Sequence, residues 1–330
     1  MNTPLPSIDG YEAIAGPPPS LGELTGLIRA QQVHFGARTT ASEGSISILL
    51  TDHEIEHIHI RMLSSGLLVA ASTYQNPEPY IQSYTRVWVH PDHMDRGIGS
   101  ALTDWSVAKA RNDLSRAPVG TRITNACSAR EAKATAGHVL EHYGYHIARC
   151  FLEMTIDLDH GVESATFPDD VSVRTIRDED GIDLVADAQH EAFRDHFGWV
   201  DRPAAARYAE WNNWRASDLW KNDLVWLVEA DTGVVAVLTA IDAYGSSETT
   251  GYIAVLGVLK EWRGKGIAQA LLATAFAAFQ RRGKESVVLH VDADSLTGAT
   301  RLYERMGMRI TEESASYEIE IRPGKDVVVR

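Results

Sequence analysis

Residues 256–271 read Leu-Gly-Val-Leu-Lys-Glu-Trp-Arg-Gly-Lys-Gly-Ile-Ala-Gln-Ala-Leu. A segment rich in β-branched residues comes before this stretch, and an apolar pattern with helical spacing follows it. The apolar positions of that pattern recur at i, i+3 and i+4, which places them on one helix face; they are Ala268, Leu271, Leu272, Ala275, Phe276 and Phe279. The stretch therefore predicts a strand, a glycine-containing loop and a helix in direct succession.

The same arrangement occurs earlier in the chain. Residues 87–102 read Val-Trp-Val-His-Pro-Asp-His-Met-Asp-Arg-Gly-Ile-Gly-Ser-Ala-Leu. At a constant offset of 169 (266 − 97), five pairs are identical: Val89/Val258, Gly97/Gly266, Ile98/Ile267, Ala101/Ala270 and Leu102/Leu271. A Gly-terminated helix follows each copy, at residues 139–145 and 302–308. We therefore predict two related domains, 1–160 and 171–330, separated by the polar, turn-rich segment 160–170.

The predicted elements indicate an α/β fold with a mixed sheet and helices on both faces in each domain. In the C-terminal half, strands are expected at 171–176, 224–230, 234–243, 250–259 and 286–291. Helices are expected at 181–196, 203–215, 266–282 and 296–306, followed by a closing hairpin through 308–321.

Composition excludes several classes of function. The formal net charge of −14 is unfavourable for broad nucleic-acid binding, which needs clustered Lys and Arg, and it suits a cationic acceptor such as an amine. The two cysteines, Cys127 and Cys150, are too few for a disulfide framework in a chain of this length. No signal peptide and no apolar run of about 20 residues is apparent. We expect a cytoplasmic protein without a membrane partner.

The loop 263–268 has the composition of an anion-binding segment. Gly264 and Gly266 allow close approach to the backbone, and amides at a helix N-terminus favour an anion such as a pyrophosphate. Arg263 and Lys265 can add charge-assisted contacts. The alternative is an ordinary helix start whose basic residues face water.

The loop resembles the pyrophosphate loop of the GNAT superfamily of N-acetyltransferases, Arg/Gln-x-x-Gly-x-Gly/Ala, with Arg263, Gly266 and Ala268 in register. This family also carries a tyrosine near the end of a later helix, where the chain has Tyr303. The resemblance implies that acetyl-CoA or another acyl-CoA is the co-substrate, that no metal is needed, and that a primary amine of a small molecule accepts the acyl group. The residues it assigns to CoA are Leu256, Val258, Arg263, Gly264, Lys265, Gly266, Ile267 and Ala268.

The resemblance also implies a mechanism of direct attack by the amine on the thioester. Tyr303 is the expected general acid, because a phenol with an ordinary pKa near 10 is protonated at neutral pH; otherwise it is a buried helix aromatic. The candidate bases, on or beside strands 250–259 and 286–291, are Glu248, Tyr252, His290 and Asp292. The proposed base among them is Glu248, although it is equally suited to a solvated turn. In the mycothiol synthase family, whose two-domain layout is similar, a glutamate lies on the strand before the loop; this chain has Tyr252 there.

An acceptor pocket is expected beside these elements. Its predicted residues are Trp199, Glu210, Trp211, Trp214, Tyr252, His290 and Asp292, because aromatic and acidic side chains can hold a cationic amine. The alternative for the tryptophans is a stripe that faces the core, and for His290 a core histidine with its hydrogen bonds made.

The N-terminal copy lacks the residues expected for catalysis. Met94 occupies the Arg263 position and Leu140 the Tyr303 position (307 − 163 = 144 aligns the glycines), and leucine cannot donate a proton. We expect a structural or acceptor-shaping role for this copy; the alternative is a second CoA site at Val89, Arg96, Gly97, Ile98 and Gly99. The sequence His53-Glu-Ile-Glu-His57 matches the HExxH zinc motif, which requires a helix; we interpret it as coincidental.

Two alternatives to acyl-CoA chemistry stay open. The phosphopantetheine arm of an acyl-carrier protein can serve as donor in the same cleft, and both domains can form a non-catalytic CoA-binding module.

Overall fold

The computed structural model describes residues 3–130, 135–159, 166–295 and 298–329. Residues 160–165 of the predicted domain boundary and the first two residues of the predicted helix 296–306 lie outside these ranges. The chain divides into two compact units, one of residues 1–149 and 314–327, the other of residues 150–313 and 328–330.

Each unit repeats one order of elements. In the first, the strands are β1 (Tyr11–Gly16), β2 (Ile55–Met62), β3 (Leu68–Gln75), β4 (Gln82–Val89) and β5 (Ile123–Arg130), and the helices are α1 (Leu21–His34), α2 (Glu43–Thr51), α3 (Ile98–Asn112) and α4 (Thr135–His142). In the second, the strands are β7 (Ser172–Thr175), β8 (Val225–Ala230), β9 (Gly233–Ile241), β10 (Thr250–Val258) and β11 (Ser286–Asp292), and the helices are α5 (Asp183–Ala192), α6 (Ala204–Arg215), α7 (Ile267–Arg281) and α8 (Ala299–Arg305).

Two long strands complete the sheets. Strand β6 (His146–Asp157) pairs antiparallel with β11 through Phe151–Asp157, and β12 (Arg309–Arg322) pairs antiparallel with β5 through Ser314–Arg322. The strand order is therefore β1-β2-β3-β4-β5-β12 in the first unit and β6-β11-β10-β9-β8-β7 in the second. The predicted division at residues 160–170 differs from the structure here, because the strand that ends each half of the sequence completes the sheet of the other unit.

Alternating side chains of the second sheet face two cores. Trp226 and Val228 of β8 pack with α7 and α8, whereas Val225 and Leu227 pack with α5 and α6. This alternation follows from the two-residue period of a strand, and it confirms the predicted α/β class with a mixed sheet and helices on both faces. The first unit is built likewise, with α3 on one face and α1 and α2 on the other.

Most elements of the second unit lie where the sequence predicts them, but its end is different. Instead of a closing hairpin through 308–321, residues 309–322 form the single strand β12. Residues 309–322 carry no Asn-Gly, Asp-Gly or similar turn signal that would reverse the chain, so the strand continues without interruption. In the described part of the chain, no helix has the length and apolar character needed to cross a bilayer.

Candidate active site

The loop before α7 has the backbone geometry expected of an anion-binding turn. Gly264 and Gly266 have φ angles of 78° and 85°, a left-handed conformation that glycine adopts without strain. A Cβ atom added at either position would meet nothing within 4 Å. The first helical hydrogen bond runs from the Ala270 amide to the Gly266 carbonyl, so the amides of Ile267, Ala268 and Gln269 precede it at the positive end of the helix dipole.

Arg263 holds this loop to the end of α5. Its guanidinium donates from Nη1 and Nη2 to the two carboxylate oxygens of Asp195, over 2.6 and 2.8 Å. It also donates to the carbonyl oxygens of Ala192 and Val258. The Arg263 charge keeps the pKa of Asp195 below its usual range. The sequence predicts that Arg263 contacts a phosphate directly; in the structure its N–H groups donate to Asp195, Ala192 and Val258, and it positions the loop.

Lys265 is more exposed than Arg263 and is better placed to bind an anion. Its Nζ lies 3.9 Å from the ring centre of Trp262 and 3.5 Å from a carboxylate oxygen of Asp170, and the side chain is 43 % exposed. An exposed ion pair of this kind is weak, so Lys265 can exchange Asp170 for a phosphate at little cost.

Strands β10 and β11 separate next to this loop. Their parallel pairing covers Thr250–Ile253 and Ser286–Leu289 only, although β10 continues to Val258 and β11 to Asp292. A bulge between Ile253 and Val255 accompanies the separation. Beyond it, Leu256 and Val258 pair with β9 on one side and have no ladder to β11 on the other. The two strands therefore splay here, with backbone groups of β10 facing the gap.

Gly257 brings α5 close to the splayed part of β10. A Cβ atom at this position would lie 2.9 Å from the Ala192 Cβ atom and 3.1 Å from the Phe193 ring. The absence of a side chain thus permits the close contact from which Ala192 and Asp195 reach Arg263.

Tyr303 lies on α8 and is 8 % exposed within the core that α7 and α8 form with the sheet. Burial raises the pKa of its hydroxyl to about 12, because the ionised phenolate is poorly solvated there. The hydroxyl is therefore protonated at any physiological pH, as a general acid requires.

A polar cluster occupies the place where β10 and β11 part. The Tyr252 hydroxyl lies 3.2 Å from Nδ1 of His290, and the Tyr244 hydroxyl lies 3.5 Å from Nε2. Tyr244 also donates to Oε2 of Glu153 over 2.6 Å, and Thr311 donates to Oε1 over 2.9 Å. The sequence predicts Tyr252 and His290 as site residues but gives no signal for Tyr244, Glu153 and Thr311. Glu153 lies on β6, which the sequence assigned to the other domain.

Glu248 lies apart from that cluster, whereas Asp292 is two residues from His290 on the same face of β11. Glu248 is exposed in the turn before β10, five residues from Ile253, which is roughly 16 Å along an extended chain. Asp292 ends β11 and accepts a hydrogen bond from the Asp294 amide. The proposed role of Glu248 as the base stays a prediction to which the geometry adds no support.

The tryptophans of the predicted acceptor pocket do not converge on one cavity. The rings of Trp211 and Trp214 lie 5.0 Å apart, tilted by 37°, and both meet Trp220 edge to face inside the core of α5 and α6. Glu210 is exposed and pairs with Arg202. Trp199 donates from its indole to the His190 carbonyl and lies 5.0 Å from the His190 ring. Trp211 and Trp214 therefore pack in the core, which is the alternative interpretation that the sequence allows.

The first unit repeats the backbone geometry of the loop but has no counterpart of the Arg263–Asp195 ion pair at this position. Asp95 and Gly97, 169 positions before Gly264 and Gly266, are also left-handed, with φ angles of 58° and 78°. Gly97 caps α3 as Gly266 caps α7. Met94 packs against the apolar core where the second unit has the Arg263 ion pair.

The other residues of the possible second site lie around this loop. Val89 and Ile98 are buried, Arg96 is exposed, and a Cβ atom on Gly99 would contact Val89. The repeated backbone is thus retained in the first unit, and a second CoA site there stays a prediction.

The HExxH motif at residues 53–57 does not lie on a helix. Residues 55–62 form β2, so His57 is on a strand and His53 precedes it. Among residues 3–130, 135–159, 166–295 and 298–329, no group of three or more His, Cys, Asp or Glu side chains is placed to hold a metal ion.

Comparison with known proteins agrees with this site. Residues 185–308, which contain β10, the loop, α7, β11 and Tyr303, match the sequence profile of the Acetyltransferase (GNAT) family. Residues 185–308 therefore belong to the acetyltransferase (GNAT) family. The whole chain is 25 % identical to a protein named mycothiol acetyltransferase from Salinispora arenicola, over 91 % of this chain and 94 % of the other.

Solved structures support the same family and the tandem layout. A GCN5-related N-acetyltransferase from Sphaerobacter thermophilus superposes with a TM-score of 0.75 and 28 % identity, covering 98 % of this chain and 99 % of that one. A tandem GNAT protein from the clavulanic acid biosynthesis pathway superposes with a TM-score of 0.70 over 96 % of this chain and all of that one, at 16 % identity, which is a likeness of fold.

Proposed function

We propose that this GNAT-type enzyme transfers an acetyl or small acyl group from acyl-CoA to a primary amine of a small molecule, with Tyr303 as general acid. One observation carries the proposal: the gap between β10 and β11 leads to the N-terminus of α7, where the loop leaves the backbone amides accessible. A pantetheine arm and a pyrophosphate need these two features in this order. The name of the mycothiol acetyltransferase relatives supports a small-molecule acceptor.

Each part of the site has a role in this scheme. The backbone of Leu256 and Val258 would bind the pantetheine arm, and the amides at the start of α7 with Lys265 would bind the phosphates. Arg263 and Asp195 would keep the loop in place. The acceptor amine forms a bond to the thioester carbonyl carbon, the C–S bond breaks, and Tyr303 gives its proton to the departing sulfur.

The direct test is release of free thiol from acetyl-CoA in the presence of a panel of small amines, with products identified by mass spectrometry. We expect an acetylated product and stoichiometric free CoA from the wild-type protein, and neither from Tyr303→Phe. No turnover with any amine would contradict the proposal. Turnover only with a loaded acyl-carrier protein would replace the donor.

A further inference from the structure

His290 is the first residue of β11 beyond its pairing with β10, since the last paired residues are Leu289 and Ile253. Its side chain is 32 % exposed, whereas that of Glu153 behind it is 7 % exposed. The imidazole therefore stands between the open gap and a buried carboxylate. It bridges the two through its two nitrogens, Nδ1 toward Tyr252 and Nε2 toward Glu153.

Two hydrogen bonds hold the carboxylate of Glu153 in place. Tyr244 and Thr311 each donate a hydroxyl to it, one to each oxygen, which meets the need of a buried anion for hydrogen-bond donors. Its Oε2 lies 3.7 Å from Nε2 of His290. This separation is too long for a good hydrogen bond but short enough for a negative charge to favour the protonated imidazole.

Tyr252 connects the histidine to the gap. Its hydroxyl lies 3.2 Å from Nδ1, and its ring stacks on Tyr244 at 5.3 Å with an interplanar angle of 22°. The stacking and the hydrogen bond together restrain the phenol. When Tyr252 donates to Nδ1, the neutral imidazole carries its own proton on Nε2, on the side of Glu153 and Tyr244.

We propose that His290 is the proton acceptor that prepares the amine, receiving the proton through the Tyr252 hydroxyl while Glu153 stabilises the imidazolium. This inference rests on the proposed function and supplies the base that it lacks. Titratable groups near His290 lie on several elements: Tyr252 on β10, Tyr244 before β10, Glu153 on β6, and Asp292 two residues further along the same face of β11. Glu153 is a positioning residue, since it acts through the histidine.

The proton balance is closed. An ammonium ion passes one proton to the Tyr252 oxygen as the Tyr252 proton moves to Nδ1, which leaves a neutral amine and an imidazolium. The amine attacks the thioester carbon, Tyr303 gives its proton to the sulfur as the C–S bond breaks, and the second proton of the nitrogen passes to the Tyr303 oxygen and restores the phenol. The products are an amide and a neutral thiol, and the imidazolium then releases its proton to water. No oxidant or metal is required.

The first test is the pH dependence of kcat/KM with acetyl-CoA and the amine found by the panel. In the wild-type enzyme we expect activity to rise with pH as His290 loses its proton. His290→Gln should lower kcat by about 100-fold or more and remove that ionisation. Glu153→Gln should move the ionisation to lower pH, because a neutral amide no longer favours the imidazolium. Tyr252→Phe should lower kcat and leave the His290 pKa largely in place.

The second test needs no turnover. The histidine Cε1 protons are titrated by NMR, and the His290 signal is assigned as the one absent in His290→Gln. In Glu153→Gln we expect that signal to titrate at lower pH, by about one unit or less at this separation. The matched control is His146→Gln, an exposed histidine near the start of β6, which should leave both the His290 titration and the pH profile unchanged.

The two proposals fail separately. If no amine is acetylated, the proposed function fails, yet the NMR titration still reports whether Glu153 and His290 are coupled. If the enzyme is active, and His290→Gln retains its kcat and its pH profile while binding CoA normally, the inference is overturned. The same holds if activity is lost in Glu248→Gln instead, or if Glu153→Gln leaves the His290 titration unmoved.

Discussion

Arg263 and Asp195 form a two-bond ion pair, with guanidinium nitrogens 2.6 and 2.8 Å from the carboxylate oxygens. The two residues are 68 positions apart, and the pair joins the loop before α7 to the residues that follow α5. The loop that would bind the phosphates is therefore fixed in place by the packing of α5 on β10.

Breaking this pair should weaken acyl-CoA binding more than it slows the reaction. Asp195 is 39 % and Arg263 25 % exposed, so the pair is worth about 1 kcal/mol, which corresponds to roughly a 5-fold change in an equilibrium constant. We expect Asp195→Ala to raise the KM for acyl-CoA several-fold with a smaller effect on kcat. Glu191→Gln removes the exposed ion pair between Glu191, near the end of α5, and Arg194 just beyond it, and should change neither parameter. Equal KM values for the two variants would exclude the positioning role.

A side chain at Gly266 should disturb the loop. Its φ angle of 85° costs a non-glycine residue about 1–2 kcal/mol, although the site has room for the methyl group. Gly266→Ala should therefore lower the melting temperature and weaken CoA binding. The control is Gly26→Ala, at an exposed position inside α1 without a positive φ, where alanine should stabilise by about 0.5–1 kcal/mol. Similar melting shifts in both variants would contradict the left-handed requirement.

Loss of activity in Tyr303→Phe should not depend on pH. Because the pKa of Tyr303 is about 12, its hydroxyl is protonated throughout the range from pH 7 to 10. We expect a decrease in kcat of about 100-fold to 10,000-fold across that range, with CoA affinity preserved. Tyr143→Phe, near the end of α4 in the first unit, should retain activity. A Tyr303→Phe defect that disappears at high pH would point to another proton donor.

Acid should destabilise the first unit. Burial lowers the pKa of His57 and His59, and Nδ1 of His59 has no hydrogen-bond partner among the described residues. In the unfolded chain these side chains have a pKa near 6.5, so below that pH the unfolded state binds more protons. Stability is complete above about pH 6.5 and is lost as pH falls toward the lower folded pKa values.

The measurement is the free energy of unfolding from urea denaturation between pH 5 and 8. In His59→Leu the free energy of unfolding should decline less steeply below pH 6.5, because leucine has no charged form that must be desolvated in the folded chain. The exposed His53→Gln should leave the slope as in the wild type. An unchanged slope in His59→Leu would show that this histidine does not contribute.

The sequence predicts the features that depend on neighbouring residues and those that occur in both halves of the chain. The β10–loop–α7 unit follows from the pattern at 256–279 and from its repeat at an offset of 169, and the class of fold follows from the order of the predicted elements. Contacts between distant segments have no such signal. Glu153 on β6 was missed because the repeat placed it in the other half, and Asp195 was missed because nothing in its neighbourhood marks it as the partner of Arg263.

The tryptophans show the same limit in another way. Trp211 and Trp214 are spaced as one helix face, a pattern that a core and a ligand pocket share. Only the packing of Trp220 and α5 against them decides between the two.

The central claim is that the start of α7 binds the phosphates of an acyl-CoA, and calorimetric titration with CoA tests it most directly. We predict saturable binding to the wild-type protein, weakened in Gly266→Ala and Asp195→Ala and unaltered in His290→Gln. Absence of binding by the wild-type protein, or equal affinity in Gly266→Ala, would contradict the account.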